Sequence, residues 1–200
     1  MILSREEQKR NTNEKIRSVS KKLIIKNGIH NTTIREISKE AKVATGTVLS
    51  HYSSKNDLFY DIFYSDIEGF AEKALKSVKR FKTLETRLIH ICDSFLKSYG
   101  SEPKLYTDFL EISMYAKGSW GIRFTKQVEE FGVEVANIYI EAIKNNEIKE
   151  DTDIQAAVGT FFSFYFMSIM TQIKMNFSDT DVSLRQFTAL IKLHLKGIKK

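Results

Sequence analysis

Residues 33–59 read TIREISKEAKVATGTVLSHYSSKNDLF, and this stretch decides the fold. It opens on Thr33 with Glu36 three residues later. In that pattern the hydroxyl caps free helix amides while the carboxylate reaches back to the cap. Ile34, Ile37 and Ala41 follow at helical spacing and form an inward stripe. A break at Lys42-Val43-Ala44 precedes a second short helix, Thr45 to Tyr52. Ser53 and Ser54, with Asp57 after them, cap a longer helix carrying Leu58, Phe59, Ile62, Phe63, Ile67 and Phe70. Two short helices joined by a tight turn make a helix–turn–helix.

Outward from it the chain stays helical. On the N-terminal side Ile16, Val19, Leu23 and Ile24 recur at helical spacing, and Gly28 supplies the stop. On the C-terminal side the pattern predicts helices over Thr83–Tyr99, Pro103 to about Ala116, Ile122–Lys144, Ile154–Asn176 and Val182–Lys199. Gly118 and Gly121 bend the chain around Trp120, and no segment alternates with a two-residue period. With only 9 Gly and 1 Pro in 200 residues, the expectation is an all-α protein of about nine helices. A three-helix domain with the helix–turn–helix fills residues 1–54, and a helical domain fills 55–200. The natural boundary falls inside the long fourth helix, which would join the two parts rigidly.

Charge is divided unevenly. Residues 1–60 hold 12 Lys/Arg against 6 Asp/Glu, so the whole net excess of +6 lies in the first third and the remainder is neutral. A basic segment beside a neutral one is the footprint of one part meeting a polyanion, although a solvated basic helix has the same composition. Cys92 is the only cysteine, which excludes an internal disulfide framework and fits a reducing cytoplasm. The N-terminus MILSREEQKR turns polar after three residues and lacks the apolar core of a signal peptide.

An α-helix fits the major groove of B-DNA, where each base pair presents a distinct set of donors and acceptors. The helix from Thr33 would brace the one from Thr45 on the backbone. The latter offers Thr45, Thr47, Ser50 and His51 to bases and phosphates, with Gly46 allowing close approach of its backbone. Lys55 sits beside the free amides of the next helix, a phosphate site.

The stretch NEKIRSVSKKLIIKNGIHNTTIREISKEAKVATGTVLSHYSSKNDLF, Asn13–Phe59, resembles the DNA-binding signature of the TetR family of transcriptional regulators. Ile16, Asn27-Gly28, the run TTIREIS, Gly46-Thr47 and SSKNDL ending at Leu58 carry the likeness. The resemblance implies a homodimer that grips a palindromic operator through Thr33, Thr45, Gly46, Thr47, Ser50, His51, Tyr52 and Lys55. It also implies a ligand pocket and dimer interface among the C-terminal helices, and a regulator, most simply a repressor, released by its ligand. Three residues depart from the family pattern. Lys42 stands where glycine is common, which leaves the turn geometry open. Leu49 replaces a tyrosine that commonly touches a phosphate, and Tyr52 replaces a phenylalanine, a core ring with its hydroxyl at the edge.

The remainder is rich in aromatic residues. A pocket for a bulky hydrophobic effector is expected among Phe95, Tyr99, Phe109, Tyr115, Trp120, Phe124, Phe131, Phe162 and Phe166, although any one of these rings also suits an ordinary core. Tyr99, Asn137, Ser163, Gln172 and the Tyr115 hydroxyl are the candidate polar groups. Ile154–Ile173 carries no charge over a length that spans a membrane. Its Gln, Thr and Ser residues and the lack of a second span oppose that reading. A helix buried between the body and a partner subunit accounts for the same composition. Gly159 and Ser163, with Phe187, Leu190 and Ile191 of the last helix, are the expected dimer interface. The four histidines are scattered, and no catalytic, metal-binding or cofactor motif is present. The sequence therefore favours a non-enzymatic regulator. An architectural or cell-division DNA-binding protein of the same fold, without an effector, is the alternative.

Overall fold

The computed structural model describes residues 4–113 and 115–200. Among them the helices run α1 (Arg5–Asn27), α2 (Ile34–Glu40), α3 (Thr45–His51), α4 (Lys55–Val78), α5 (Leu84–Gly100), α6 (Pro103–Ser113), α7 (Gly118–Lys144), α8 (Ile154–Lys174) and α9 (Thr180–Ile198). The fold is all-α, and the β-type pairing described is a single bridge between Ile148 and Lys199.

Local chemistry sets the helix ends. Ser4 and Glu7 form a capping box on α1, and Thr33 with Glu36 form another on α2. Gly28 closes α1 at φ 83°, a conformation free of cost only for glycine, and its amide donates to the Ile24 carbonyl at 2.7 Å. Ser54 Oγ accepts from the Asp57 amide at 3.1 Å, while the Ser53 hydroxyl donates to the Asp57 carboxylate. The bend expected around Trp120 is displaced: α7 begins at Gly118 itself, at φ 63°, four residues before the expected start at Ile122. Gly121 lies inside that helix, and a β-carbon there would stand 2.8 Å from the Ala116 carbonyl oxygen.

The chain forms two compact units. The first holds the chain up to Asp66 together with Lys104–Tyr115, and the second holds Ile67–Pro103 and Ala116–Lys200. The division between the units falls inside α4, after Asp66. Aromatic packing keeps α6 with the first unit. Phe63 on α4 stacks on Phe109 of α6 at 5.2 Å, Phe59 meets the same ring edge-on at 6.3 Å, and all three are buried. Tyr106 of α6 donates to Asp66 Oδ2 at 2.9 Å, and Lys21 of α1 reaches the same oxygen at 2.6 Å. This core also holds Ile16, Ile24, Ile37, Ala41, Val48 and Leu58, all essentially inaccessible.

In the second unit α9 packs against both α5 and α8, and α7 packs against α8. Leu88, Ile91, Leu96, Val135, Phe161, Phe187 and Ile191 fill its centre. Arg87 of α5 pairs with Glu141 of α7 at 2.8 Å and also donates through Nε to the Phe81 carbonyl at 2.9 Å.

Candidate nucleic-acid interface and effector core

The turn between α2 and α3 is set by a residue the family pattern does not supply. Lys42 takes φ 54°, the left-handed conformation that glycine usually fills. The Lys42 amide donates to the Lys39 carbonyl at 3.1 Å and the Val43 amide to that of Ser38 at 3.0 Å. These two bonds make the Schellman closure of a helix, so the turn keeps its glycine-type geometry with lysine in place.

Beyond the turn, α3 divides into an inner and an outer face. Val48 is wholly buried, whereas Thr45, Gly46, Leu49 and Ser50 are exposed and Thr47 and His51 half-buried. The Thr45 hydroxyl lies 3.0 Å from that of Ser38, tying α3 to α2, and Ser50 Oγ donates to the Thr47 carbonyl at 2.8 Å. A β-carbon on Gly46 would meet nothing within 4 Å, so the protein itself does not require glycine there. Tyr52, expected among the DNA contacts, is instead withdrawn to 7% exposure. Its hydroxyl donates to Asp61 Oδ2 at 2.9 Å, and burial holds the phenol well above its ordinary pKa. Lys55 points its ammonium at the carbonyls of Ile29 (3.2 Å) and His30 (3.4 Å), which uses two of its three donors. Thr33 is exposed and serves as the α2 cap. Burial, and secondarily the ammonium of Lys9, lower the pKa of His51. Leu49 is an apolar side chain at 50% exposure on the outer face, a feature visible only once the helix has an inside and an outside.

Several aromatic residues of the second unit form a connected cluster. Phe95 meets Phe131 at 5.4 Å and Tyr165 at 5.5 Å, Phe131 meets Phe162 at 6.1 Å, and Phe162 stacks on Phe166 at 5.9 Å. Tyr99 joins through Phe70 and Phe177, each at 5.7 Å. The hydroxyls of Tyr99 and Tyr165 lie 3.4 Å apart within this apolar setting, where burial raises both pKa values. Tyr165, Phe70 and Phe177 are members that sequence patterning missed, since a lone ring in a helix carries no signal of its neighbours.

Several expected pocket and interface residues lie elsewhere. Phe109 belongs to the first unit, stacked on Phe63. Tyr115 is 79% exposed, because α6 ends at Ser113 and leaves it beyond the helix. Trp120 and Phe124 are half-buried, with the Arg123 guanidinium 5.4 Å from the Trp120 ring. Asn137 and Ser163 are exposed. Gln172 is buried and clamps α8 to α9 by donating to Ser183 Oγ at 2.7 Å and the Asp179 carbonyl at 2.8 Å, while its own Oε1 has no partner.

Phe187 and Ile191, expected at a subunit interface, are instead wholly buried in the unit's own core, Phe187 edge-on to Phe161 at 5.8 Å. Leu190 is half-buried. Gly159 and Ser163 do lie outside, on a face of α8 that continues through Phe166, Met167 and Met170. By length and composition α8 could cross a membrane, but one marginal apolar helix, clamped to α9 through Gln172, does not make a membrane span.

An all-α chain with an exposed outer face on the second helix of a basic helix–turn–helix has the arrangement that DNA-binding regulators use. Residues 16–62 match the sequence model described as "Bacterial regulatory proteins, tetR family". The chain is 22% identical over 195 residues to the fatty acid metabolism regulator protein of Bacillus subtilis (strain 168), covering 96% of this chain and 97% of that one. Its fold is similar to that of the transcriptional regulator FadR from Bacillus subtilis in complex with stearoyl-CoA. The TM-score there is 0.73 at 18% identity, over 92% of this chain and 98% of that one. It is also similar to Thermus thermophilus FadR, a TetR-family transcriptional repressor, in complex with lauroyl-CoA, with a TM-score of 0.68 at 19% identity over 90% and 93% of the two chains.

Proposed function

We propose that this regulator is a cytoplasmic repressor that binds a palindromic operator as a homodimer and leaves it when a long-chain acyl thioester binds the second unit. The outer face of α3 carries the reading of DNA: Gly46, Leu49 and Ser50 are exposed there on a helix anchored from behind by Val48 and Tyr52. Thr33, Thr45, Thr47, His51 and Lys55 complete the surface, with Tyr52 acting as its support.

Two further observations support the finer parts. The exposed apolar face of α8 includes Gly159, where a β-carbon would meet nothing within 4 Å, so a small residue there suits the close approach of a second copy. The aromatic cluster around Phe95, Phe131 and Phe162 has the composition of a site for an alkyl chain. The effector class is taken from the acyl-CoA complexes of the two structural relatives. Since α4 runs unbroken from Lys55 to Val78, it is the element through which the effector would change the spacing of the two reading heads. DNA and effector then oppose each other reciprocally.

The test is to select a duplex from a random pool with the full chain, then titrate the labelled complex with stearoyl-CoA, free stearate and coenzyme A alone. Release by stearoyl-CoA only supports the proposal. Binding that none of the three disturbs would favour an architectural role without an effector. Sedimentation should give a dimer for the wild type and a monomer for Met167→Asp, and a monomeric wild type would remove the palindrome.

A further inference from the structure

Arg5 and Lys9 stand where α1 has run past the core it serves. The inward line of this helix is marked by Ile16 and Ser20, both wholly buried, and by Ile24. At about 3.6 residues per turn, Lys9 and Arg5 continue that line toward the N-terminus, seven and eleven residues before Ile16. One side-chain contact holds the register: the Arg17 guanidinium lies 3.4 Å from Asp61 Oδ2.

An inward line is where apolar side chains belong, yet these two positions hold cations, both exposed. α3 packs beside α1, since Arg17 of α1 and the hydroxyl of Tyr52, the residue that closes α3, meet on the same Asp61 oxygen, and the Lys9 ammonium helps to disfavour a charged His51. The acids of the same turns point elsewhere. Glu7 is folded back on the Ser4 amide at 2.7 Å, Glu6 stands one turn before Arg10, and Glu14 lies on the far side of the helix. Arg5 and Lys9 also precede residue 16, outside the stretch that matches the family.

We propose that the first two turns of α1 belong to the DNA interface, Arg5 and Lys9 neutralising phosphates that flank the bases read by α3. The occupant is a duplex backbone because its charge complements the pair and the neighbouring α3 already presents its outer face to DNA. Such contacts add affinity without sequence preference. The inference rests on the DNA-binding role of α3 and extends it to a second element.

The experiment compares the full chain with R5A/K9A and K15A/K22A by fluorescence anisotropy across a range of KCl concentrations. The latter variant removes the same charge from a different face of the same helix. The probes are a duplex selected from a random pool and an unselected mixed-sequence duplex. R5A/K9A should weaken both by roughly tenfold or more at low salt and flatten the slope of log affinity against log salt by about two per subunit. K15A/K22A should change the slope by less than half as much, and R5K/K9R should retain it. Circular dichroism checks that α1 persists, and R5Q/K9Q, which keeps the aliphatic stems, repeats the measurement should the alanine pair fray the helix. Equal losses in the two double variants, or an unaltered slope in R5A/K9A, would overturn the proposal while leaving α3 as the reader. A wild type that binds neither duplex in a salt-sensitive way would overturn the DNA-binding role itself.

Discussion

The Tyr52 hydroxyl donates to Asp61 Oδ2 at 2.9 Å, and this bond fixes the end of the reading helix to α4. Arg17 of α1 stands 3.4 Å from the same carboxylate oxygen, so three helices meet at one acid. Tyr52→Phe keeps the ring and removes the donor. It should cost about 1 kcal/mol, measured by urea denaturation, and leave the selected DNA sequence unchanged, because the hydroxyl is committed to Asp61. An altered sequence preference in this variant would put Tyr52 back on the DNA.

Lys42 holds a left-handed conformation that disfavours any residue with a β-carbon. Lys42→Gly removes that conflict while the hydrogen bonds to Ser38 and Lys39 remain possible. Stability should rise by about 0.5–1 kcal/mol in thermal unfolding. A loss of stability would mean that the lysine side chain supports the turn.

Gly46 separates folding from DNA binding. The free space around it lets Gly46→Ala fit, and the substitution should stabilise α3 by up to about 1 kcal/mol through helix propensity. The same methyl group blocks the close approach of backbone to DNA, so affinity for the selected duplex should fall roughly tenfold or more. A variant that is both more stable and undiminished in binding would show that the duplex does not approach α3 at this point.

Protonation of the histidines should act in opposite directions on folding and on binding. Burial is the largest cause lowering the pKa values of His51, His90 and His194. His90 is held between the Ser77 hydroxyl at 2.7 Å and the Phe81 ring at 4.3 Å. An unfolded chain takes up these protons near about pH 6.5, the folded one only at lower pH. The stabilising preference for neutral rings is therefore complete above that value and lost as pH falls through it. Melting temperature should drop between about pH 7.5 and 5.5, and His90→Gln should make the profile shallower. The proposed interface sets His51 beside phosphates, so DNA affinity should rise over the same interval, and His51→Gln should abolish its share. A flat melting profile in the wild type would exclude the first effect, and a rise that survives His51→Gln the second.

Much of the fold is local and was legible before any coordinates. Helix stops and caps follow from Gly28, Thr33 with Glu36, and Ser54, because each acts on backbone groups within a few residues of itself. The helix–turn–helix and the concentration of charge in the first third belong to the same level. Periodicity also marks which residues share a face of α3, which is why its candidate readers could be chosen in advance.

The partner of each face is a different matter, and only tertiary packing decided it. A stripe of apolar residues records that something covers it, not what does. Phe109 has the composition of an effector-site ring yet packs on Phe63. Phe187 and Ile191 face the protomer's own interior, while Leu193, on the same helix, is 68% exposed. Tyr52 shows the same limit at a single side chain, for its ring carries a hydroxyl that suits either a phosphate or an acid. Asp61 claims it because α4 crosses there, a relation that no spacing along the chain contains.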